Sequence, residues 1–399
     1  MVKHASLFSQ LIALFNRHQF YSLVVKHKTE RFAKGFSSWD HFVAMMFCQA
    51  AQAKSLREIC GGLACCLGKL RHLGMKQSPK KSTLCYANAH RPWPLFQALF
   101  YQTLDTCRKA GPGSHKFRFK NKLLSLDSTT ISLCLSLFPR AKFRRTKGAV
   151  KLHLLLDHEG YLPTYACIST GKKHEVTRAR TVPLAPGSIV AVDRGYNDYK
   201  LFAFWTANKV FFVTRLKDNA DYAVIEDRAV PQNRAILSDQ LIQFAGFYAR
   251  KQCPHLLRKV VVWDGEQQRT IVLLTNHLEF GSTTISAIYK DRWQIELFFK
   301  ALKQNLKVKT FVGTSENALY IQIWTALIAM LLIKYLQFKS QLGWSLSNLV
   351  AFLRWNLFTY RNLWEWIDKP FEVMPTEPLS VQTPLPLSGL GQHLVPGTT

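Results

Sequence analysis

Acidic residues are scarce in this chain of 399 residues: 25 Asp and Glu stand against 53 Lys and Arg, a formal charge of +28 at neutral pH. That imbalance argues against an ordinary metabolic enzyme and favours a polyanionic partner, through attraction and counterion release. Signals for cysteine pairing are missing too. The nine cysteines are odd in number and form no CxxC pair. With no signal peptide read at the start, reduced thiols are expected, and the spacing of Cys60, Cys65, Cys66 and His72 fits no common zinc finger. There is no GxxxxGK[ST] loop to suggest a bound nucleotide. Long hydrophobic runs are also absent. The most apolar stretch, Ala318–Ile333, is interrupted by Gln322 and Thr325 and stopped by Lys334. It falls short of the ~20 residues of a membrane span and reads as a buried helix, with no membrane partner.

Hydrophobic residues make up 48 % of the chain, enough for a sizeable core. The charge is uneven: residues 1–120 hold 19 Lys and Arg against 4 Asp and Glu. The pattern there is helical, so residues 1–110 read as a helical DNA-binding domain. Ser55-Leu56-Arg57-Glu58 matches a capping box for a helix running towards Leu70. A second helix follows the basic turn after Gly74, with Lys80, Lys81 and Ser82 at its start as candidate DNA-recognition residues. A helix-turn-helix and an ordinary helical hairpin fit this stretch equally well.

Residues 111–121 form a linker, after which the pattern turns α/β. Residues 122–216 give a first core part, with strands over Lys122–Thr129, Val150–Leu156, Tyr161–Ile168, Ile189–Asp193 and Lys209–Leu216. Residues 217–280 read as a β-rich insertion with a hairpin at Asp264-Gly265. Residues 281–368 supply the second core part, opened by one long amphipathic helix over Thr283–Leu306. Residues 369–399 carry six prolines from Pro370 onward and read as a poorly ordered tail.

Three carboxylates carry the chemistry. Asp127 closes the apolar run Leu123-Leu124-Ser125-Leu126, and Asp193 closes Ile189-Val190-Ala191-Val192. Strand ends are where α/β folds build sites. Glu296 lies on the long helix. At 100° per residue, Tyr289, Arg292, Glu296 and Lys303 share one narrow face beside an apolar stripe of Ile288, Ile295, Phe299, Leu302 and Leu306. Three acids in one pocket would suit hard cations. Arg144, Arg145, Lys147 and Lys151, soon after Asp127, are candidate phosphate contacts. His153 reads as structural, Trp263 as a core residue, and Asp157 and Glu159 as hairpin-turn residues.

The chain resembles a DDE transposase of the IS4 group of bacterial insertion sequences. Tyr289, Arg292, Glu296 and Lys303 match that group's Tyr-x2-Arg-x3-Glu-x6-Lys at every position. Leu126-Asp127-Ser128-Thr129 resembles its first acidic motif, and Val192-Asp193-Arg194-Gly195-Tyr196 its second. The resemblance implies a ribonuclease-H-like catalytic core with a β-rich insertion. It implies that Asp127, Asp193 and Glu296 hold two Mg²⁺ or Mn²⁺ ions, and that Tyr289, Arg292 and Lys303 grip DNA phosphates. It also implies cleavage at the ends of an insertion sequence and transfer of the 3′-OH ends into target DNA. The expected partners are terminal inverted repeats and target DNA in double-stranded form, bound by a homodimer in the bacterial cytoplasm, at the nucleoid. A catalytically silent DNA-binding descendant and a metal-dependent nuclease are the alternatives.

Overall fold

Helices come first in the computed structural model, which describes residues 4–372 except 32, 34, 67–68, 112–115, 133–148, 171–174, 233–234 and 309. They are α1 (Leu7–Ala13), α2 (Arg17–Lys26), α3 (Ser38–Ala51), α4 (Leu56–Ala64), α5 (Lys81–His90) and α6 (Pro94–Ala110). Local chemistry sets their starts. Ser37 and Asp40 form a reciprocal capping box on α3. The Ser55 hydroxyl accepts from the Glu58 N–H at the start of α4. Pro94 stands at the first position of α6, where its missing N–H costs nothing.

The helix expected to reach Leu70 stops at Ala64, and a 3₁₀ turn over Lys69–Leu73 intervenes before α5. Gly61 and Gly62 weaken helix propensity there. Gly62 also lets the Phe47 ring approach, since a Cβ at that position would lie 2.6 Å from the ring. The connection from α4 to α5 is therefore far longer than the roughly three to four residues of a helix-turn-helix.

Nine strands follow among the described residues, all in one sheet: β1 (Leu123–Ser132), β2 (Ala149–Asp157), β3 (Leu162–Thr170), β4 (Ile189–Val192), β5 (Phe211–Arg215), β6 (Tyr222–Asp227), β7 (Ile236–Phe244), β8 (Leu257–Asp264) and β9 (Arg269–Thr275). Their order is β3-β2-β1-β4-β5-β9-β8-β7-β6. β1, β4 and β5 run parallel, while the β1–β2–β3 and β5–β9–β8–β7–β6 pairings are antiparallel. The expected hairpin at Asp157–Tyr161 is present, turning through positive φ at Gly160 (74°) and Tyr161 (53°). The 217–280 segment holds β6 and β7 as well as the expected hairpin of β8 and β9.

Short helices interleave with the strands: α7 (Glu175–Ala179), α8 (Tyr199–Ala207) and α9 (Phe247–Gln252). The chain then continues through α10 (Ser282–Asp291), α11 (Trp293–Asn305), α12 (Glu316–Lys339), α13 (Leu346–Trp355) and α14 (Leu363–Asp368). β4 is buried along its whole length, as a strand covered on both faces should be. Val190 and Val192 pack with Leu201, Phe202 and Trp205 of α8. Ile189 and Ala191 point the other way, to Ile285 and Ile288 of α10. The helix expected over Thr283–Leu306 is divided at Arg292. The Ile295 N–H bonds back to the Arg292 carbonyl, a 3₁₀ step that tightens the junction of α10 and α11.

α12 runs 24 residues, longer than the stretch expected from the sequence, and is long and apolar enough to cross a membrane. Yet 83 % of its apolar window is buried inside the protein, so it serves as a core helix. Its side chains join those of α1, α3 and α6 in one continuous apolar cluster, which α13 and α14 also enter. Gln49 donates to the Gln322 carbonyl, and Asn317 donates to the carbonyls of Asn88 and Arg91. The tail expected over 369–399 falls, from residue 373 on, outside the described residues.

His41 marks a pH-sensitive point in this helical core. It is fully buried, and its Nε2 donates to Asn88 Oδ1 over 2.8 Å. Burial, then the Arg91 charge, pulls its pKa down to about 3, while the Asn88 bond resists. The unfolded chain therefore takes up the proton first. The stabilising contribution is complete above ~6.5 and falls away as pH drops toward the folded value. Lowering pH from 7.5 to 5 should cost about 2 kcal/mol through this group. Denaturant unfolding of His41→Gln across that range checks it: the variant should lose that share of the pH dependence.

Candidate active site

Register brings the first two acids together. β1 and β4 pair in parallel with Leu126 beside Val192, so Asp127 and Asp193 leave neighbouring strands side by side. The strand expected over Lys122–Thr129 continues to Ser132. Beyond Leu126 only its antiparallel pairing with β2 persists. Asp127 thus stands where the parallel pairing stops, half-buried, while Asp193 is exposed at the head of a 3₁₀ turn. Burial pushes the Asp127 carboxyl up to about 7. Asp193 and Glu175 add to that, and the Ser128 N–H and Arg292 oppose it.

Glu296 reaches the same neighbourhood through Arg292. The Arg292 guanidinium donates to Glu296 Oε1 over 2.7 Å and lies 5.5 Å from the Tyr289 ring centre. Although burial works against its charge, Tyr289, Glu296 and Asp127 hold its pKa above the usual value. Tyr289, Arg292 and Glu296 therefore do share a face despite the 3₁₀ step. Lys303 is half-buried further along α11. The apolar stripe beside them is seated as expected, with Ile288, Ile295 and Leu302 at 0 % exposure.

Among the described residues, no group of three or more His, Cys, Asp or Glu side chains is gathered tightly enough to hold a metal ion. Arg292 is bonded to Glu296, and its charge acts on Asp127. The donor chemistry nonetheless fits a hard divalent cation. The acids are oxygen donors, and Asp127 is a half-buried carboxyl held far above its usual range that a cation would relieve.

A second set of side chains locks this junction from beneath. Asp291 ends α10 with its side chain buried, and accepts from His158, Lys116 and the Tyr161 hydroxyl. The other His158 nitrogen meets Ser125 Oγ at 2.7 Å, two residues from Asp127 on β1. Although burial raises the Asp291 pKa, His158 and Lys116 hold it below the usual carboxylate range. The network ties the helix junction carrying Arg292 to the strand carrying Asp127. Asp291→Asn keeps the shape but weakens these charge-assisted bonds, and should cost about 1–3 kcal/mol in denaturant unfolding. A change of a few tenths would deny the lock.

The other expected contacts divide. Arg144, Arg145 and Lys147 lie outside the described residues. Lys151 is half-buried and forms an ion pair with Glu175 at 2.9 Å. Lys80, Lys81 and Ser82 are exposed at the start of α5, on the face that also shows Tyr86. His153 is buried against Ser169 Oγ at 2.8 Å, and burial lowers its pKa to about 4, as suits a structural residue. Asp157 caps its turn by accepting from the Glu159 N–H. Trp263, read as core, is instead 39 % exposed near the end of β8. Glu175, Asp291 and His158 were not singled out from the sequence, and Tyr196 entered only as the last residue of the second acidic motif. Asp291 alone had a positional signal, lying between Tyr289 and Arg292.

Residues 118–332 match the family described as the transposase DDE domain, and residues 3–76 match a domain of unknown function. A protein of Sinorhizobium fredii named as a transposase is 32 % identical over 268 residues, 64 % of this chain and 71 % of its own. A Geobacillus stearothermophilus protein named as the transposase of insertion sequence element IS5377 is 29 % identical, over 66 % of this chain and 69 % of its own. A Synechocystis protein named for insertion sequence element IS4SA is 26 % identical, over 58 % and 65 %. Among solved structures, the piggyBac transposase synaptic complex with hairpin DNA aligns over 98 % of this chain and 85 % of that chain. The identity is 12 % and the TM-score 0.42.

Proposed function

The chain belongs to the transposase DDE domain family and is a DNA transposase of an insertion sequence; on that premise we propose that Asp127, Asp193 and Glu296 are its catalytic acids. The observation that carries this reading is the parallel register of Leu126 with Val192, which sets Asp127 beside Asp193. The antiparallel β1–β2–β3 unit followed by parallel β4 and β5 supports a ribonuclease-H-like core. The 217–280 segment would be an insertion into that core, and residues 1–110 a DNA-holding region.

The three acids would hold two divalent ions, Mg²⁺ or Mn²⁺. When bound, the ions would supply Lewis-acid assistance to phosphoryl transfer at the attacking and leaving oxygens. The protein's own residues do the positioning. Arg292 balances Asp127 and Glu296, and with Tyr289 and Lys303 it would hold phosphates of the element end in line with the acids. Lys80, Lys81 and Ser82 would meet DNA at the exposed start of α5. Two ends must be paired before joining, so the working species would be a homodimer.

The experiment uses purified protein, labelled terminal-repeat DNA, a target plasmid and Mg²⁺, with a chelator control and an Asp193→Ala variant. Cleaved ends joined to the plasmid, lost with chelator and variant, are expected. Binding without cleavage would mean a silent DNA-binding protein. Cleavage with no joined product would mean a nuclease.

A further inference from the structure

Glu175 opens α7 and faces two ways. Its Oε1 accepts from Ser128 Oγ at 2.6 Å and from Lys151 Nζ at 2.9 Å. Ser128 follows Asp127 on β1, and Lys151 lies on the adjacent β2. Its Oε2 turns toward Gly195. A Cβ built there would lie 3.4 Å from Glu175 Oε2 and 3.9 Å from Asp193 Oδ2, so the two carboxylates approach one point of backbone. The glycine leaves that approach open. Asp127 also feels the Glu175 charge.

Tyr196 closes the same neighbourhood. The residue is 1 % exposed, and its hydroxyl lies against the Ser128 side chain, which is also the partner of Glu175. Carboxylates gathered there suit a hydrated cation, whose water Glu175 can engage.

We propose that Glu175 is a positioning residue of the metal centre, holding Ser128 and Lys151 through one oxygen and turning the other toward the ion's hydration shell beside Asp193. The inference rests on the assignment of Asp127 and Asp193 as metal ligands. Carboxylates in this outer position orient ligands, and their loss costs about 10–100-fold in metal affinity. Lys151 is accordingly a partner of Glu175, and its ammonium is committed within the protein.

The test is Mn²⁺ titration of the full chain followed by electron paramagnetic resonance of the free ion, with melting in chelator recorded for each variant. Glu175→Gln should bind Mn²⁺ about 10–100-fold more weakly than the parent while melting at nearly the same temperature in chelator. Glu175→Asp should recover part of the affinity. Equal affinity in the parent and Glu175→Gln overturns the proposal. If Asp193→Asn also binds like the parent, the metal assignment itself falls. Should Glu175→Gln fail to fold, Glu175→Asp decides: parental Mn²⁺ affinity there would overturn the positioning role.

Discussion

Asp193→Ala is expected to lose strand cleavage by roughly a thousandfold or more while remaining folded. Metal assistance to phosphoryl transfer is worth several kcal/mol, and each ~1.4 kcal/mol is a factor of ten in rate. The side chain is exposed, and its described bond is to the N–H of Arg194 at the head of a short 3₁₀ turn. Losing such a cap costs about 1 kcal/mol. Activity and stability should therefore separate at this position. A rate assay on labelled ends beside a melting curve reads both. Cleavage within a few-fold of the parent would remove Asp193 from the catalytic set. A large drop in melting temperature would instead mark the residue as structural.

Arg258→Ala should produce the largest loss of stability, about 3–5 kcal/mol, by breaking a buried charge pair. Arg258 of β8 and Asp239 of β7 are each 3 % exposed and bond through two parallel contacts of 2.8 and 2.6 Å. The same guanidinium also donates to the carbonyls of Leu278 and Phe280, just before α10 begins. Alanine would strand the Asp239 carboxylate and the Phe280 carbonyl, while the Leu278 carbonyl keeps its bond from Arg228. The double variant Arg258→Met, Asp239→Leu should recover most of the loss, because no charge is then left alone. Urea unfolding of the single and double variants decides. A single variant within 1 kcal/mol of the parent, as order of magnitude, would mean that the pair behaves as a solvent-screened one.

The sequence disclosed the elements that rest on local patterns. Apolar runs located β2, β3 and β4, and the capping box at Ser55 and Glu58 located the start of α4. The stripe of Ile288, Ile295 and Leu302 followed from helical spacing alone. What stayed hidden depends on partners distant in the chain. Asp291 acquires meaning only when His158 and Lys116 arrive beside it. Glu175 carries no motif, and its proximity to Asp193 exists only once α7 folds back after β3. The division at Arg292 was equally hidden, since its neighbours have ordinary helix propensity. Trp263 was misread because an aromatic in an apolar strand looks the same whether its face is covered or open.

α12 completes the apolar centre shared with α3 and α6. During synthesis, the first third of the chain leaves the ribosome long before residues 316–339 exist. Until they appear, α6 lacks the α12 side of its packing, where Phe100 meets the Trp324 ring. The helices nearest the beginning thus mature last, despite being made first. A copy of the element interrupted upstream of residue 316 would yield a stub with bare apolar faces, fit for a chaperone or a protease. Damage late in the reading frame would therefore reach the core of the amino-terminal helices as well.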